Sequence, residues 1–170
     1  MDKIFFNKLI ILRGNSGSGK TTIAKELQKK IGSNTLLISQ DVIRREMLMV
    51  KDGPDNMALP MLKELLIYGR NHCKTVILEG ILVGEWYRSL FEQAKELYGS
   101  NIYAYYFDIP FEETIKRHKT RSQSNEFGEE AMREWWVDKD YSEVLNETAI
   151  TADKDKESII KEILSEISDK

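Results

Sequence analysis

The stretch GNSGSGKT at Gly14–Thr21 decides the fold of this 170-residue chain. It fits the pattern G-x-x-x-x-G-K-[ST] and follows the apolar run LIIL at 9–12 almost directly. Beyond it, apolar residues recur at helical spacing from Ile23 to Ile31, and Gly32 is a typical helix stop. The sequence therefore predicts a buried strand, a glycine-rich turn and a helix in direct succession.

This glycine-rich turn has the chemistry of a phosphate-binding loop. Glycines let the backbone curl until several N–H groups point inward, and the helix N-terminus adds a partial positive charge. Lys20 would reach the β and γ phosphates of ATP as a catalytic cation, and the Thr21 hydroxyl would bind Mg²⁺. The alternative, an ordinary glycine turn at a helix start, requires a chance match to all the fixed positions. The predicted nucleotide-binding residues are Gly14, Asn15, Ser16, Gly17, Ser18, Gly19, Lys20, Thr21 and Thr22.

The remainder of the chain alternates strands with helices. Four further runs are β-rich and bounded by turn residues: Thr35–Ser39, Thr75–Gly80, Asn101–Asp108 and the weaker Glu147–Thr151. Apolar residues at helical spacing predict helices over 57–70 and 85–98, and a last amphipathic helix follows the fifth strand. Such alternation indicates βαβ units and a mainly parallel sheet, so we expect one α/β domain over 1–170.

Composition and charge argue against several classes of function. Hydrophobic residues make up 41% of the chain and charged residues 31%, which is typical of a globular protein. The net charge of -3 gives no general attraction to a nucleic-acid backbone or to anionic lipids. The sequence shows neither a membrane-length apolar stretch nor the apolar region of a signal peptide, and its single cysteine, Cys73, fits a reducing compartment. We therefore expect a cytoplasmic protein without a membrane or nucleic-acid partner.

Asp41 follows the second predicted strand in the segment SQDVIRRE. Open parallel sheets bind ligands outside the carboxyl ends of their strands, so Asp41 is expected to face the phosphate loop. Its carboxylate can accept the proton of an attacking hydroxyl group, and Arg44 can bind an anionic or polar substrate. The alternative is that Asp41 only caps a helix. Arg45 is expected on the solvated surface.

The third predicted strand ends in VILEG, an apolar run that closes on the carboxylate of Glu79. This is the Walker B position, which stands beside the metal ion. We expect Glu79 to bind Mg²⁺ together with Thr21 and to border the substrate site, with direct and water-mediated contact both open. A polar strand end without function is the alternative. Trp86 and Tyr87, just beyond, are further candidates for lining an acceptor pocket.

The segment PFEETIKRHKTRSQSNEF, after the fourth predicted strand, is dense in positive charge. Arg117 and Arg121 are four residues apart, so they share one face if the segment is helical. Arginines on a closing lid stabilise a migrating phosphoryl group, which makes both residues catalytic candidates. The alternative is a solvated helix face. Trp135 and Trp136 are expected to pack the lid against the domain.

In this order, GNSGSGKT, SQDVIRR, VILEG and FDIPFEETIKRHKTR resemble the P-loop small-molecule kinases. The resemblance is to the group of zeta-toxin-like, chloramphenicol-phosphotransferase-like and polynucleotide-kinase-like proteins. It implies a five-stranded sheet in the order 2-3-1-4-5 with helices on both faces, an acceptor-binding region at about 42–70 and a helical lid at about 116–137. In that group the Asp after the second strand is the base, a following Arg binds the acceptor, and lid arginines contact the phosphates. By position these roles fall on Asp41, Arg44, Arg117 and Arg121.

The resulting hypothesis is a phosphotransferase that moves the γ-phosphoryl group of ATP to a hydroxyl group of a small molecule. The acceptor would be a nucleoside, a sugar, a nucleotide-sugar or an antibiotic-like compound. One alternative is a nucleotide-binding regulatory or toxin-type module with weak turnover, because a phosphate loop indicates binding rather than transfer. Another is a polynucleotide 5'-hydroxyl kinase, which the acidic charge balance disfavours. A GTPase would need N-K-x-D and D-x-x-G motifs, and the sequence contains neither.

Overall fold

Five parallel strands form the sheet at the centre of the molecule. The computed structural model describes residues 7–120 and 128–169. The strands are β1 Lys8–Gly14, β2 Thr35–Ser39, β3 Thr75–Gly80, β4 Ile102–Asp108 and β5 Glu147–Thr151. Within the described ranges they pair in the order β2-β3-β1-β4-β5, every neighbouring pair being parallel. The predicted α/β fold and its strand order are therefore confirmed.

Helices connect the strands and cover both faces of the sheet. They are α1 Lys20–Ile31, α2 Gln40–Val42 with a π-helical continuation Ile43–Met47, α3 Ala58–His72, α4 Arg88–Tyr98, α5 Phe111–His118, α6 Glu129–Trp135 and α7 Lys156–Ser168. Among the helices of these described ranges, none has the length and apolar character needed to cross a bilayer.

The central strand β1 explains why its sequence is an unbroken apolar run. Leu9 and Ile11 lie in the core on one face of the sheet, and Ile10 and Leu12 lie in the core on the other. All four side chains are fully buried, and each such burial contributes about 1.5–3 kcal/mol. The first face is covered by α3 and α4, through Leu62, Leu66, Leu90 and Phe91. The second face is covered by α1 and α7, through Ile23, Leu27, Ile160 and Ile163.

Several element boundaries differ by a few residues from those predicted; helix α3, for example, is Ala58–His72 rather than 57–70. Helix α4 begins at Arg88 rather than at 85, because the N–H of Gly84 donates to Oδ2 of Asp140 at 2.8 Å and the chain there follows a turn. Strand β4 begins at Ile102 because Gly99–Asn101 forms a 3₁₀ turn. The differences at α4 and β4 arise at strand-helix junctions, where periodicity carries little information.

The register of the sheet brings the predicted functional positions to one edge. Ser39 at the end of β2 lies opposite Glu79 in β3, and Arg13 in β1 lies opposite Gly80. Gly14, the first residue of the phosphate loop, pairs with Phe107 in β4. The carboxyl ends of β1, β2 and β3 therefore place the phosphate loop, the start of α2 and the end of β3 side by side.

Candidate active site

The phosphate loop adopts a conformation that only glycine accommodates easily. Gly14, Gly17 and Gly19 have φ values of 150°, 80° and 97°. A Cβ atom on Gly14 would lie 2.9 Å from the Cβ of Phe107, and one on Gly17 would lie 2.9 Å from the carbonyl oxygen of Thr114. The loop is thus packed tightly against β4 and α5, and these contacts hold its backbone in the curled conformation.

The inner surface of the loop fits a phosphate group. Lys20 is largely buried, and its Nζ donates to the carbonyl oxygen of Asn15 at 3.1 Å, which folds the side chain back over the loop. The Oγ atom of Ser18 is buried and has no hydrogen-bond partner within the described residues. It lies 3.2 Å from where a Cβ on Gly14 would stand. Leaving such a group unpaired costs about 1–3 kcal/mol, so an anion in the loop that accepts a hydrogen bond from the hydroxyl is favoured.

Glu79 links three elements beside the loop. Its side chain is 2% exposed, its Oε2 accepts from Thr21 Oγ1 at 3.2 Å, and its Oε1 accepts from Ser39 Oγ at 2.7 Å. Carboxylate and hydroxyl oxygens are the ligands that Mg²⁺ prefers, so Thr21 and Glu79 fit a bound Mg²⁺. In residues 7–120 and 128–169 no three His, Cys, Asp or Glu residues cluster as a metal site. A Mg²⁺ ion here would complete its coordination with phosphate oxygens and water.

Asp41 is held by two arginines. Its Oδ1 accepts from Arg44 Nη2 at 2.9 Å and forms an ion pair with Arg45 Nε at 3.0 Å, while 45% of its side chain remains exposed. The cap of α2 is instead Ser39, whose Oγ accepts from the N–H of Val42. The alternative in which Asp41 only caps the helix therefore does not hold.

These groups line a single pocket. Its wall consists of Ser16, Gly17, Lys20, Thr21, Gln40, Asp41, Arg45, Glu79, Gly80, Ile81 and Trp135. The structure thus brings together Lys20, Thr21, Asp41 and Glu79, which come from three strand ends. Arg44, the predicted acceptor-binding residue, lies behind this wall, where its Nη1 donates to the carbonyl oxygen of Val50 at 3.3 Å.

Sequence reasoning missed several side chains of the pocket wall, among them Gln40, Arg45 and Trp135. Arg45, expected on the solvated surface, lies 5.7 Å from the ring centre of Trp135 and pairs with Asp41. Its spacing of four residues from Asp41 was a usable signal. Trp135 reaches the pocket from α6, far along the chain, while Trp136 packs edge-on against Phe111, with the ring centres 5.2 Å apart.

A second cleft adjoins the same loop. It is lined by Ser18, Gly19, Thr22, Ile23, Phe107, Arg117, Lys154, Asp155, Lys156 and Ile159. Arg117 donates through Nη1 to the carbonyl oxygen of Ser18 at 2.9 Å, and its Nε pairs with Glu113 at 3.3 Å. Arg117 therefore lies over the phosphate loop on the side of this second cleft. Arg121, the other predicted lid arginine, lies outside the described residues.

Arg13, directly before the loop, is fully buried and has partners for all five of its N–H groups. Nε and Nη2 donate to the carbonyl oxygen of Leu82 at 3.1 and 2.8 Å. Nη1 donates to the carbonyl oxygen of Asp140 at 3.0 Å and to Glu147 Oε1 at 2.7 Å, and Nη2 donates to Asp140 Oδ2 at 2.9 Å. These bonds tie β1 to the segments after β3 and α6. Nothing in the local sequence indicated them.

Asn15 makes a reciprocal pair with the chain just beyond α6. Its Nδ2 donates to the carbonyl oxygen of Val137 at 2.6 Å, and its Oδ1 accepts from the N–H of Val137 at 2.9 Å. A residue of the phosphate loop is thus bound to the end of the predicted lid segment, about 116–137.

Residues 9–138 match a family model described as an AAA domain. No curated protein matches by sequence. A tunicamycin resistance protein of Deinococcus radiodurans is 16% identical over 95% of both chains, with a TM-score of 0.66. The Mycobacterium tuberculosis APS kinase, solved with AMPPNP and APS, is 18% identical over 95% of this chain and 98% of that chain, with a TM-score of 0.65.

A gluconokinase from Sinorhizobium meliloti 1021 is 17% identical over 96% of this chain and 93% of that chain, with a TM-score of 0.61. Likeness at these identities shows a shared fold. The family model spans well over half of the residues. This chain therefore belongs to the AAA domain family.

Proposed function

We propose that this protein is an ATP-dependent kinase that transfers the γ-phosphoryl group of ATP to a hydroxyl group of a small molecule. The observation that carries the proposal is that Lys20, Thr21 and Asp41 line the same pocket. A nucleotide-binding module without an acceptor needs no carboxylate facing the loop. The kinases among the structures of the same fold support this assignment.

The two clefts suggest how ATP would lie. The loop and Lys20 would bind the phosphates, and the second cleft, beside Arg117 and Lys154, would hold the nucleoside. Thr21 and Glu79 would hold Mg²⁺. A bound Mg²⁺ neutralises charge on the phosphate oxygens.

Asp41 is the proposed general base. The acceptor O–H proton passes to the Asp41 carboxylate, the acceptor oxygen bonds to the γ-phosphorus, and the bond from phosphorus to the β–γ bridging oxygen breaks to give ADP. Arg44 and Arg45 orient the carboxylate, and Arg45, which lines the pocket, offers donors to polar groups of the acceptor. In this proposal residues 1–170 form one kinase domain, with the acceptor region at about 42–70 and the lid at about 116–137.

The test measures ADP and phosphorylated product with ATP and Mg²⁺ against a panel of sugars, nucleosides, nucleotide-sugars and antibiotics. The proposal expects ADP formation that depends on one acceptor, with one phosphomonoester formed per ADP. Lys20→Ala removes the cation nearest the phosphates, so transfer falls by about 10²- to 10³-fold at an unchanged Tm. Lys25→Ala, exposed on the same helix, is the control and keeps the parental rate.

Two outcomes would contradict the proposal. ADP formation at one rate with every acceptor and with none would indicate ATP hydrolysis. An ATP-dependent rise in Tm without any ADP formation would indicate the regulatory module, because a ligand that binds only the folded state stabilises it.

A further inference from the structure

A buried polar cluster lies directly behind the pocket. Gln40, which lines the pocket and is 1% exposed, donates through Nε2 to Tyr87 Oη at 2.9 Å and to Asp52 Oδ2 at 3.2 Å. Tyr87 Oη lies 2.7 Å from Asp52 Oδ1 and accepts from Asn56 Nδ2 at 3.0 Å. Four side chains from three separate segments thus form one cluster, here called the Gln40 cluster, that the proposed reaction leaves unexplained.

The chemistry of its members fixes the direction of every bond in the Gln40 cluster. A carboxylate only accepts hydrogen bonds, so the Tyr87 hydroxyl donates its single proton to Asp52. Burial, and then the Asp52 carboxylate, raise the pKa of Tyr87 well above its usual value, so that proton stays in place. The Tyr87 oxygen can then only accept, and Gln40 must turn its NH₂ group toward it. Asn56 does the same, because its Oδ1 accepts from the N–H of Ala58 at 3.0 Å.

This orientation turns the side-chain carbonyl of Gln40 away from the cluster. A Cβ on Gly80 would lie 3.1 Å from Gln40 Oε1, so the oxygen lies beside Gly80, and both residues line the pocket with Asp41. Within the parts of the chain that the structure describes, no group donates to this oxygen. Because Gln40 lines the pocket, its oxygen is accessible to a hydrogen-bond donor of a molecule bound there.

We propose that Gln40 recognises the acceptor: its Oε1 accepts a hydrogen bond from a second hydroxyl group of the acceptor, next to the hydroxyl that reacts at Asp41. This inference rests on the proposed kinase function. Gln40 and Asp41 line the same pocket, so one small molecule with two hydroxyl groups can contact both side chains. The acceptor is therefore a polyhydroxylated compound, a sugar or a ribonucleoside, and not a monohydric alcohol.

In this assignment Tyr87, Asp52 and Asn56 are positioning residues. They hold the amide of Gln40 with its oxygen toward the pocket and its NH₂ group away from it. Without the Tyr87 hydroxyl, Gln40 loses one of its two acceptors, and the amide is no longer restricted to one orientation. Tyr87 thus acts on acceptor recognition without touching the acceptor.

The test uses acceptor pairs that differ by one hydroxyl group: ribose and 2-deoxyribose, glucose and 2-deoxyglucose, adenosine and 2'-deoxyadenosine. The full chain is assayed with ATP and Mg²⁺, and the phosphorylated position is determined on each product so that the missing hydroxyl is not the reacting one. We expect at least one pair to be phosphorylated, with kcat/KM about tenfold higher for the hydroxylated member, the effect of one hydrogen bond.

Gln40→Met keeps the length of the side chain and removes both polar groups of the amide. We expect the ratio of kcat/KM within the pair to fall to about one, at an unchanged KM for ATP. Tyr87→Phe should lower the ratio in part and raise the KM for the acceptor. Gln28→Met on α1, whose Nε2 donates to the carbonyl oxygen of Thr35 at 3.1 Å, is the matched control and keeps the parental ratio.

A folded Gln40→Met protein with the parental ratio would overturn the inference, as would equal kcat/KM for both members of every pair in the parental protein. If Gln40→Met fails to fold, Tyr87→Phe decides, and a parental ratio there overturns the positioning role and the inference with it. Transfer to an acceptor with a single hydroxyl group, but to no polyhydroxylated compound of the panel, would refute the polyhydroxylated class while leaving the kinase function standing. Absence of transfer to any acceptor would instead contradict the proposed function itself.

Discussion

Thr21 Oγ1 lies 3.2 Å from Glu79 Oε2, so the first turn of α1 and the end of β3 are joined by a hydrogen bond beside the phosphate loop. The other carboxylate oxygen is engaged by Ser39 at 2.7 Å. The hydroxyl groups of Thr21 and Ser39 therefore fix the orientation of the Glu79 carboxylate. Small changes at this carboxylate should affect any metal ion that binds between Thr21 and Glu79.

Glu79→Gln tests this metal site. The amide keeps the size of the side chain but loses the charge, so the Mg²⁺ concentration for half-maximal transfer should rise by about 10- to 100-fold. The measurement is transfer rate against Mg²⁺ concentration at saturating ATP. Glu85→Gln, exposed just beyond β3, is the control. An unchanged Mg²⁺ dependence would restrict Glu79 to a structural role.

Asp41→Asn tests the proposed base. The amide cannot accept the acceptor proton, so kcat should fall by about 10²- to 10⁴-fold while ATP binding is kept. The ion pairs to Arg44 and Arg45 are partly exposed, so stability should fall by less than about 1 kcal/mol. Glu46→Gln, exposed in the π-helical turn, is the control. A near-parental kcat would move the search for a base to Glu79.

Arg117→Gln tests the second cleft. Because Arg117 bonds to the loop carbonyl of Ser18 and lines this cleft, its loss should raise the KM for ATP by about tenfold. The KM for the acceptor should stay constant. Arg88→Gln removes a solvated arginine paired with Glu92 and Glu143, and it should leave both constants unchanged. A parental KM for ATP in the Arg117 variant would contradict a role of Arg117 in binding ATP.

Arg13→Met tests the buried guanidinium. Removing it leaves the carboxylates of Asp140 and Glu147 without their shared cation, so the free energy of unfolding should fall by about 3–5 kcal/mol. The measurement is urea unfolding without nucleotide. Arg88→Met, whose ion pairs are exposed, should hardly move the midpoint. Equal midpoints for the two variants would contradict the structural role given to Arg13.

Asp155→Ala tests a pH-dependent cap. Asp155 is the N-cap of α7, and its side chain accepts from the N–H of Ser158 at 2.7 Å. This bond, and to a smaller extent a bond from the Ser158 hydroxyl, lowers the pKa of Asp155. A lowered folded pKa means that the stabilisation is complete above the unfolded pKa of about 3.9 and is lost as pH falls through the folded value. The variant should therefore lower Tm at pH 7 and lower it less at pH 2.5. An equal Tm difference at both pH values would contradict the charge effect.

The sheet and the phosphate loop could be predicted because their signals are local. Strands β2, β3 and β5 begin and end where their apolar or β-rich runs do. A strand buried on both faces must be apolar throughout, and a loop that curls around a phosphate must carry glycine at fixed positions. Asp41 and Glu79 followed from their places at strand ends.

The rest of the pocket depends on contacts between distant segments. Trp135 meets Arg45 across the pocket, and Arg13 meets Asp140, 127 residues away in sequence. Neither contact produces a recognisable pattern in the sequence around the residues that make it. Gln40 could not be predicted because a glutamine has no sequence signature for binding, and its partners Asp52 and Tyr87 lie in distant segments of the chain.

The chain beyond α6 is attached twice to the beginning of the sheet. Asn15 bonds to Val137 and Arg13 bonds to Asp140, so residues of β1 and the phosphate loop set the path by which the chain leaves α6 for β5. Because Asn15 belongs to the loop itself, a shift of the loop backbone on ligand binding would pull directly on Val137, two residues beyond the end of α6. Occupancy of the loop and the position of α6 should therefore be mechanically coupled.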